Sequence, residues 1–349
     1  MLNIGVIGVG DMGSKHVRIL ANHVPQAKVV AVMDKSKNRL TKISKYLDNP
    51  KIYYEAKSLI DDNSVEAVLI ASPDKTHADF AEYCISKGKF LLLEKPLGIN
   101  IRDAEKVLKA EIKHGRRIVQ VGLMREFDSQ HIDIKKSIEK KNIGRPLLFR
   151  GIHKHLSQPG RSASNVIKNS AVHDIHSARW LMNDDIVSII AEQIPFSNSN
   201  RKLKITESQN SWGTKSGKEF ATRLVLMQFK FKNGGLGSIE VDIDDNYGYE
   251  VIVEVSGEKG TLRTPSLVSP ILRKGKSSSQ SVEKDWLLRF DEAYKKELFS
   301  WVNATIKRKV IGASVWDAYM AMKVAETAIK SLSTSKSEKV NLTKKPSIY

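Results

Sequence analysis

The chain has 349 residues, 41% of them hydrophobic and 28% charged, a composition that excludes disordered, collagen-like and coiled-coil classes and leaves chain enough for two domains of about 100–200 residues each. Its net charge is +18, yet the excess is spread out, with 20 basic and 14 acidic residues in 1–122 and 37 and 25 in the remainder, and no basic stretch interleaved with aromatics, so neither a nucleic-acid nor a membrane partner is expected. No apolar run approaches the roughly 18 residues of a membrane span, Met1 leads into a strand pattern rather than a signal peptide, and the single cysteine excludes an intrachain disulfide, all of which predicts a cytoplasmic protein.

The first third alternates strands and helices. Apolar runs at Leu2–Val9, Lys28–Met33, Ala67–Ala71, Phe90–Leu93 and Ile118–Val121 read as buried strands. Helical spacing falls between them at Ser14–Asn22, Arg39–Leu47, His77–Lys87 and Asp103–His114. This rhythm predicts an α/β, doubly wound parallel sheet in a cofactor domain spanning residues 1–122. Beyond it the pattern changes to a helix at Ser129–Glu139, a strand at Leu147–His155, a polar loop from Ser157 to about Lys168 and a helix through Trp180. Alternating runs at Ala221–Lys232, Gly237–Asp244 and Tyr249–Ser256 predict an antiparallel meander, and helices return at Asp291–Lys307 and Trp316–Leu332. The polar stretches Ser197–Asn200 and Ser277–Ser281 read as surface loops, and the tail from Ser333 as polar and lysine-rich. Residues 123–349 are therefore expected to form an α+β domain with a large open, mainly antiparallel sheet. One face takes the helices, and valine, isoleucine and phenylalanine on both alternations suggest that the other pairs with another subunit.

Gly8-Val9-Gly10-Asp11-Met12-Gly13 fits G-x-G-x-x-G between a strand and a helix, and Asp34 ends the next strand 21 residues past the last glycine. The first glycine permits a tight turn, the second lets backbone approach a pyrophosphate, the third lets helix pack on strand, and the helix N-terminus faces the anion. Asp34 is placed to accept from ribose hydroxyls and to repel a 2′-phosphate, which favours NAD over NADP; Lys35, Lys37 and Arg39 act against that preference. Ser72-Pro73-Asp74-Lys75-Thr76-His77 and Glu94-Lys95-Pro96 fall at the carboxyl ends of strands, where open α/β sheets bind ligands.

With these motifs in this order the chain resembles the glucose-fructose oxidoreductase and inositol dehydrogenase family over essentially its whole length, and within it most resembles the bacterial myo-inositol 2-dehydrogenases. Val119-Gln120-Val121-Gly122-Leu123-Met124-Arg125, Val172-His173 with Arg179-Trp180-Leu181, and Tyr247-Gly248-Tyr249 add to the likeness. The resemblance implies a nicotinamide-dependent dehydrogenase of a cyclic polyol or sugar, working as a homo-oligomer, a dimer or tetramer through the open sheet. It implies a cofactor set of Gly8, Gly10, Asp11, Met12, Gly13, Asp34, Lys35, Ser72, His77, Glu94 and Lys95, and a substrate set of Arg125, His153, His155, Asn169 and Tyr249. Amino or phosphorylated sugars are alternative substrates, and a catalytically silent sugar sensor an alternative role.

Such a reaction needs a base for the hydroxyl proton while hydride leaves the carbon for a nicotinamide ring. His173 is suited to accept that proton near neutrality, and a charged Lys95 to hold the same oxygen. The family usually has aspartate where this chain has Asn169, which keeps hydrogen bonding without the charge; Asn169 also suits a helix cap. His153 with His155, and His173 with His176, have spacings that could ligate zinc, but no metal is expected: no motif such as HExxH accompanies them, and hydride chemistry needs none.

Overall fold

The computed structural model describes residues 1–158, 160–196, 221–265 and 269–349. Strands β1 (Leu2–Ile7), β2 (Ala27–Met33), β3 (Lys51–Tyr53), β4 (Ala67–Ile70), β5 (Phe90–Glu94) and β6 (Val119–Gly122) form a six-stranded sheet in the order β3-β2-β1-β4-β5-β6. Every neighbouring pair is parallel. Helices α1 (Asp11–His23), α2 (Lys37–Ser44), α3 (Ala56–Ile60), α4 (His77–Ser86) and α5 (Ile101–His114) connect them. The strand order reverses between β1 and β4, so the loops that follow those two strands open a crevice at their carboxyl ends. The central strands read as continuous apolar runs because both faces are covered: β4 and β5 are buried throughout.

The second sheet is built from β7 (Pro146–Lys154), β8 (Ile186–Pro195), β9 (Thr222–Phe231), β10 (Leu236–Asp242), β11 (Glu250–Gly257) and β12 (Gly260–Arg263), with α6 (Ser129–Glu139), α7 (Ala163–Val166) and α8 (Val172–Met182) preceding β8. A hairpin of β13 (Ile271–Lys274) and β14 (Ser277–Gln280) follows, then α9 (Trp286–Arg289), α10 (Asp291–Ile306), α11 (Val315–Thr334) and a short β15 (Glu338–Lys339). The sheet order is β12-β11-β7-β10-β9-β8-β15. It is mainly antiparallel, with β10 parallel to β7.

Three sequence expectations are corrected here. β9, β10 and β11 do not form a meander, because β7 lies between β10 and β11 and pairs with both. The polar loop after β7 ends earlier than expected. The Ser162 side chain accepts from Asn165 N at 3.2 Å and starts α7, which runs through a π-helical turn at Ile167–Ala171 directly into α8, with Val166, Ile167 and Ala171 buried. Ser277–Ser281 is not a plain loop, since Ser277–Gln280 is strand β14. The stretch 197–200 lies outside the described residues.

Helices α8 and α11 cover one face of this second sheet, burying Ile175, Ala178, Val324, Ala325 and Ala328 against Phe149, Met227, Phe229 and Val241. The sheet phenylalanines therefore point inward. The outer face mixes charge with half-buried aliphatics: Arg150 faces Glu254 across β7 and β11 at 2.6 Å, and Ile152 lies beside Ile252. α10 and the first half of α11 lie against the Rossmann sheet instead, and Leu298, Trp301, Val315 and Met320 share a core with Ile4, Leu93 and Val121. That packing brings β7, α8 and α10 to the crevice after β1, β4 and β5. No helix among the described residues is long and apolar enough to cross a membrane.

Candidate active site

The glycine loop is shaped by close approach. Gly8 has φ +84°, and a Cβ on it would lie 2.6 Å from Ser72 Cα; a Cβ on Gly13 would sit 1.9 Å from Gly8 O, so neither position admits a side chain. A Cβ on Gly10 would meet nothing nearer than 3.9 Å, leaving space over the α1 N-terminus, whose amides have no side-chain cap. Asp34 is buried at the end of β2, where its carboxylate accepts from Val9 N at 3.0 Å and Ser36 N at 2.8 Å. It thereby ties the glycine loop to the β2–α2 turn, while Arg39 Nη1 stands 3.8 Å away. Asp11 and Lys35 are exposed. An open glycine cradle, uncapped helix amides and an acid at the second strand end are the features a dinucleotide needs, and the residues present fit NAD.

Next to this loop is a cavity of about 200 Å³ lined by Met12, Glu94, Lys95, Met124, His153, His155, Gln158, Arg161, Asn165, Asn169, Ser170, His173, Tyr249, Trp286 and Tyr294. Larger depressions exist elsewhere, one between α4 and α5 and one beside Gly10, Asp11 and Arg39, but neither holds Lys95 or His173. Of the residues expected from sequence, Lys95, His153, His155, Asn169, His173 and Tyr249 converge here. Arg125 lies fully buried behind the wall.

Lys95 Nζ is 3.5 Å from the Asn169 backbone oxygen, which links the β5 end to the π-helical turn. Asn169 does not cap α8, because the N-cap position is Ala171 and Asn169 sits inside a continuous helical run. Glu94 accepts from Lys95 N at 3.2 Å and lies 2.6 Å from His16 Nε2. The ring nitrogens of His77 lie 2.6 Å from Pro96 O and 2.7 Å from Ser72 O, so this buried imidazole clamps the two strand-end loops together. Ser72 Oγ is 2.7 Å from Thr76 Oγ1.

Behind the cavity is a buried polar network whose hub, Asp174, was not expected from sequence. Arg125 Nη1 donates to Asp174 Oδ1 at 2.5 Å, and His153 Nδ1 lies 2.8 Å from Asp174 Oδ2. A carboxylate only accepts, so His153 carries its proton on Nδ1. Its Nε2, 2.9 Å from Tyr249 Oη, then accepts from the phenol. Burial alone would raise the Asp174 carboxyl, but Arg125 and His153 outweigh it and hold the group below the usual carboxylate range. Burial, and after it the charges of Lys95 and Arg125, push the His173 imidazole well below its ordinary value, and its Nδ1 has no partner. His155 stacks on His153 with centroids 4.4 Å apart and is pushed down to about 2, chiefly by burial. Of the histidines considered as zinc ligands, His153 uses both nitrogens and His176 Nε2 faces Glu126 at 2.9 Å, whereas both ring nitrogens of His155 and the Nδ1 of His173 have no partner among the described residues. Among the described residues no group of three or more His, Cys, Asp or Glu side chains is arranged around a metal position.

Sequence reasoning also missed His16, Gln158, Arg161, Trp286 and Tyr294. Asp174 directly follows His173 and could have been found as a second acid–base neighbour. Trp286 and Tyr294 come from α9 and α10, far along the chain, and carry no local signal.

A glycine loop at the switch point of a doubly wound sheet, opening on a cavity that holds a lysine and a neutral histidine, defines a dinucleotide-dependent two-domain enzyme. Residues 2–123 match the family model described as "Oxidoreductase family, NAD-binding Rossmann fold", and residues 135–342 its companion, "Oxidoreductase family, C-terminal alpha/beta domain". The chain belongs to this family of oxidoreductases, that of glucose-fructose oxidoreductase and inositol dehydrogenase. It is 37% identical over 348 residues to the inositol 2-dehydrogenase of Rubrobacter xylanophilus, covering 99% of this chain and 95% of that one. It is 34% identical to inositol 2-dehydrogenase 2 of Saccharopolyspora erythraea, covering 100% and 98%. Among solved structures, the myo-inositol dehydrogenase of Lactobacillus casei in complex with NAD(H) and myo-inositol superposes with a TM-score of 0.91 at 28% identity, covering 100% of this chain and 99% of that one.

Proposed function

We propose that the protein is an inositol 2-dehydrogenase-like enzyme that oxidises one secondary hydroxyl of a cyclic polyol or sugar to a ketone, with NAD as the hydride acceptor. The observation that carries this reading is that Met12 of the glycine loop, Lys95 and His173 line one cavity. His173 takes the hydroxyl proton; burial keeps its imidazole neutral and able to accept it. The Lys95 ammonium donates to the same oxygen and stabilises the negative charge that develops there. Bound NAD supplies the nicotinamide that receives the hydride. Arg125, Asp174 and His153 fix the cavity floor and hold Tyr249, whose phenol donates to His153 Nε2 and keeps its oxygen free to accept from a ring hydroxyl.

In this reading residues 1–122 hold the cofactor and 123–349 the substrate. The aliphatic and charged outer face of the second sheet supports pairing of copies as a dimer or tetramer, and dependence on the intracellular NAD pool supports a cytoplasmic location. The test is a screen of inositols and sugars with NAD and NADP, read by the absorbance of the reduced nicotinamide. NAD-dependent oxidation of a cyclic polyol is expected. No reduction with any of them would favour a silent sensor, and equal or better rates with NADP would overturn the reading of Asp34.

A further inference from the structure

The cavity has a second wall that the oxidation step leaves unused. The segment between β7 and α7 lays His155, Gln158 and Arg161 along it. Arg161 is half-buried there, and its guanidinium makes no ion pair or hydrogen bond with the described residues. Both ring nitrogens of His155 and the Gln158 Oε1 are buried without partners as well. Buried polar groups are nearly always satisfied, so two adjoining exceptions, His155 and Gln158, facing one cavity beside the unpaired guanidinium of Arg161 point to a ligand that satisfies them.

The sign of that ligand follows from the charges around it. Glu94 is the one acid among the described residues lining the cavity, and it is engaged by His16 and the Lys95 amide. Asp174 lies behind the wall, compensated by Arg125. Asn169 adds hydrogen bonding and no charge. Among the described residues, Lys95 and Arg161 therefore face the cavity with no free carboxylate between them. An unpaired, partly desolvated guanidinium is costly to keep, and its planar fork matches a carboxylate or phosphate. The cavity, at about 200 Å³, is smaller than the roughly 300–1,000 Å³ of pockets for drug-sized ligands, which suits a single ring with one small substituent rather than a nucleotide-linked sugar.

We propose that Arg161, with His155 beside it, binds an oxyanion carried by the ring whose hydroxyl faces Lys95 and His173, so that the preferred substrate is an acidic cyclic polyol or sugar. This rests on the oxidation reading of the same cavity. Initial rates with saturating NAD would be compared for glucuronate against glucose and for an inositol monophosphate against myo-inositol, in the wild type and in Arg161→Gln. In at least one pair the acidic ring should exceed its neutral parent in kcat/KM by about tenfold or more, the size expected of a charge-assisted contact. The pair that responds identifies carboxylate or phosphate. Arg161→Gln should erase the advantage, mainly through KM. Preference for the neutral parent in both pairs, or an unchanged ratio in Arg161→Gln, would overturn the inference and leave the oxidation reading standing. Calorimetry of the same rings on the NADH-loaded protein separates the remaining cases. Arg161-dependent binding without turnover would overturn the oxidation reading and keep the anion site, and absence of both would overturn the two together.

Discussion

The Arg125 guanidinium and the Asp174 carboxylate are 2.5 Å apart with both side chains almost wholly buried, the arginine arriving from the turn after β6 and the aspartate from the first turn of α8. Their pairing joins the end of the Rossmann sheet to the helix that carries His173.

Removing the negative charge from that pair strands the positive one. Asp174→Asn is therefore expected to destabilise the fold by about 3–5 kcal/mol, the usual cost of breaking a buried ion pair from one side. Urea unfolding followed by circular dichroism measures it; a loss below about 1 kcal/mol would mean that Arg125 does not depend on this partner.

Lys95→Ala and His173→Ala should each lower kcat by about 10²-fold or more while the folded protein keeps its affinity for NAD, because general acid–base and electrostatic help at the reacting oxygen are of that size. Cofactor titration and steady-state rates on the same preparations separate the two effects. Near-normal turnover in either variant would remove that residue from the chemistry.

The pH dependence has a definite sign. Burial and nearby positive charge lower the His173 pKa, so the proton-accepting form persists as pH falls through the ordinary histidine value of about 6.5. The acidic limb of kcat/KM assigned to this group should accordingly fall below pH 6.5. A profile between about pH 5 and 9 tests this, and a limb at 6.5 or above that disappears in the His173 variant would contradict it.

Much of this arrangement was legible in the chain, for local reasons. The glycine loop, Asp34 and the strand-end motifs are short, contiguous and set between buried apolar runs, and Lys95 stands within them, while His173 stands in the Val172-His173 pair that opens α8. What escaped was non-local. The insertion of β7 between β10 and β11 is a pairing between segments far apart in sequence. β8, whose register with β9 shifts near Ile186 and again near Pro195, gives a broken alternation. Arg161 fell in a stretch read as a polar loop, and nothing nearby in sequence signals that it shares a cavity whose one acid among the described residues, Glu94, is already engaged.

The resemblance read from the sequence implies an aspartate where this chain has Asn169. With the capping role excluded by the helical run through 167–171, Asn169→Asp should act by charge. It should raise the His173 pKa, move the acidic limb upward in pH and favour neutral rings over acidic ones. Steady-state kinetics on myo-inositol and on an acidic ring would read this, and an unchanged profile with an unchanged ratio would leave Asn169 without an electrostatic part.

The central claim, that this cavity delivers hydride from a ring carbon to NAD, is tested most directly with a substrate from the screen carrying deuterium on its ring carbons. Mass spectrometry of the reduced cofactor should find one deuterium transferred to the nicotinamide, with a slowed rate where the chemical step limits turnover. Reduced cofactor without the label, or no reduction with any labelled cyclic polyol or sugar, would contradict the account.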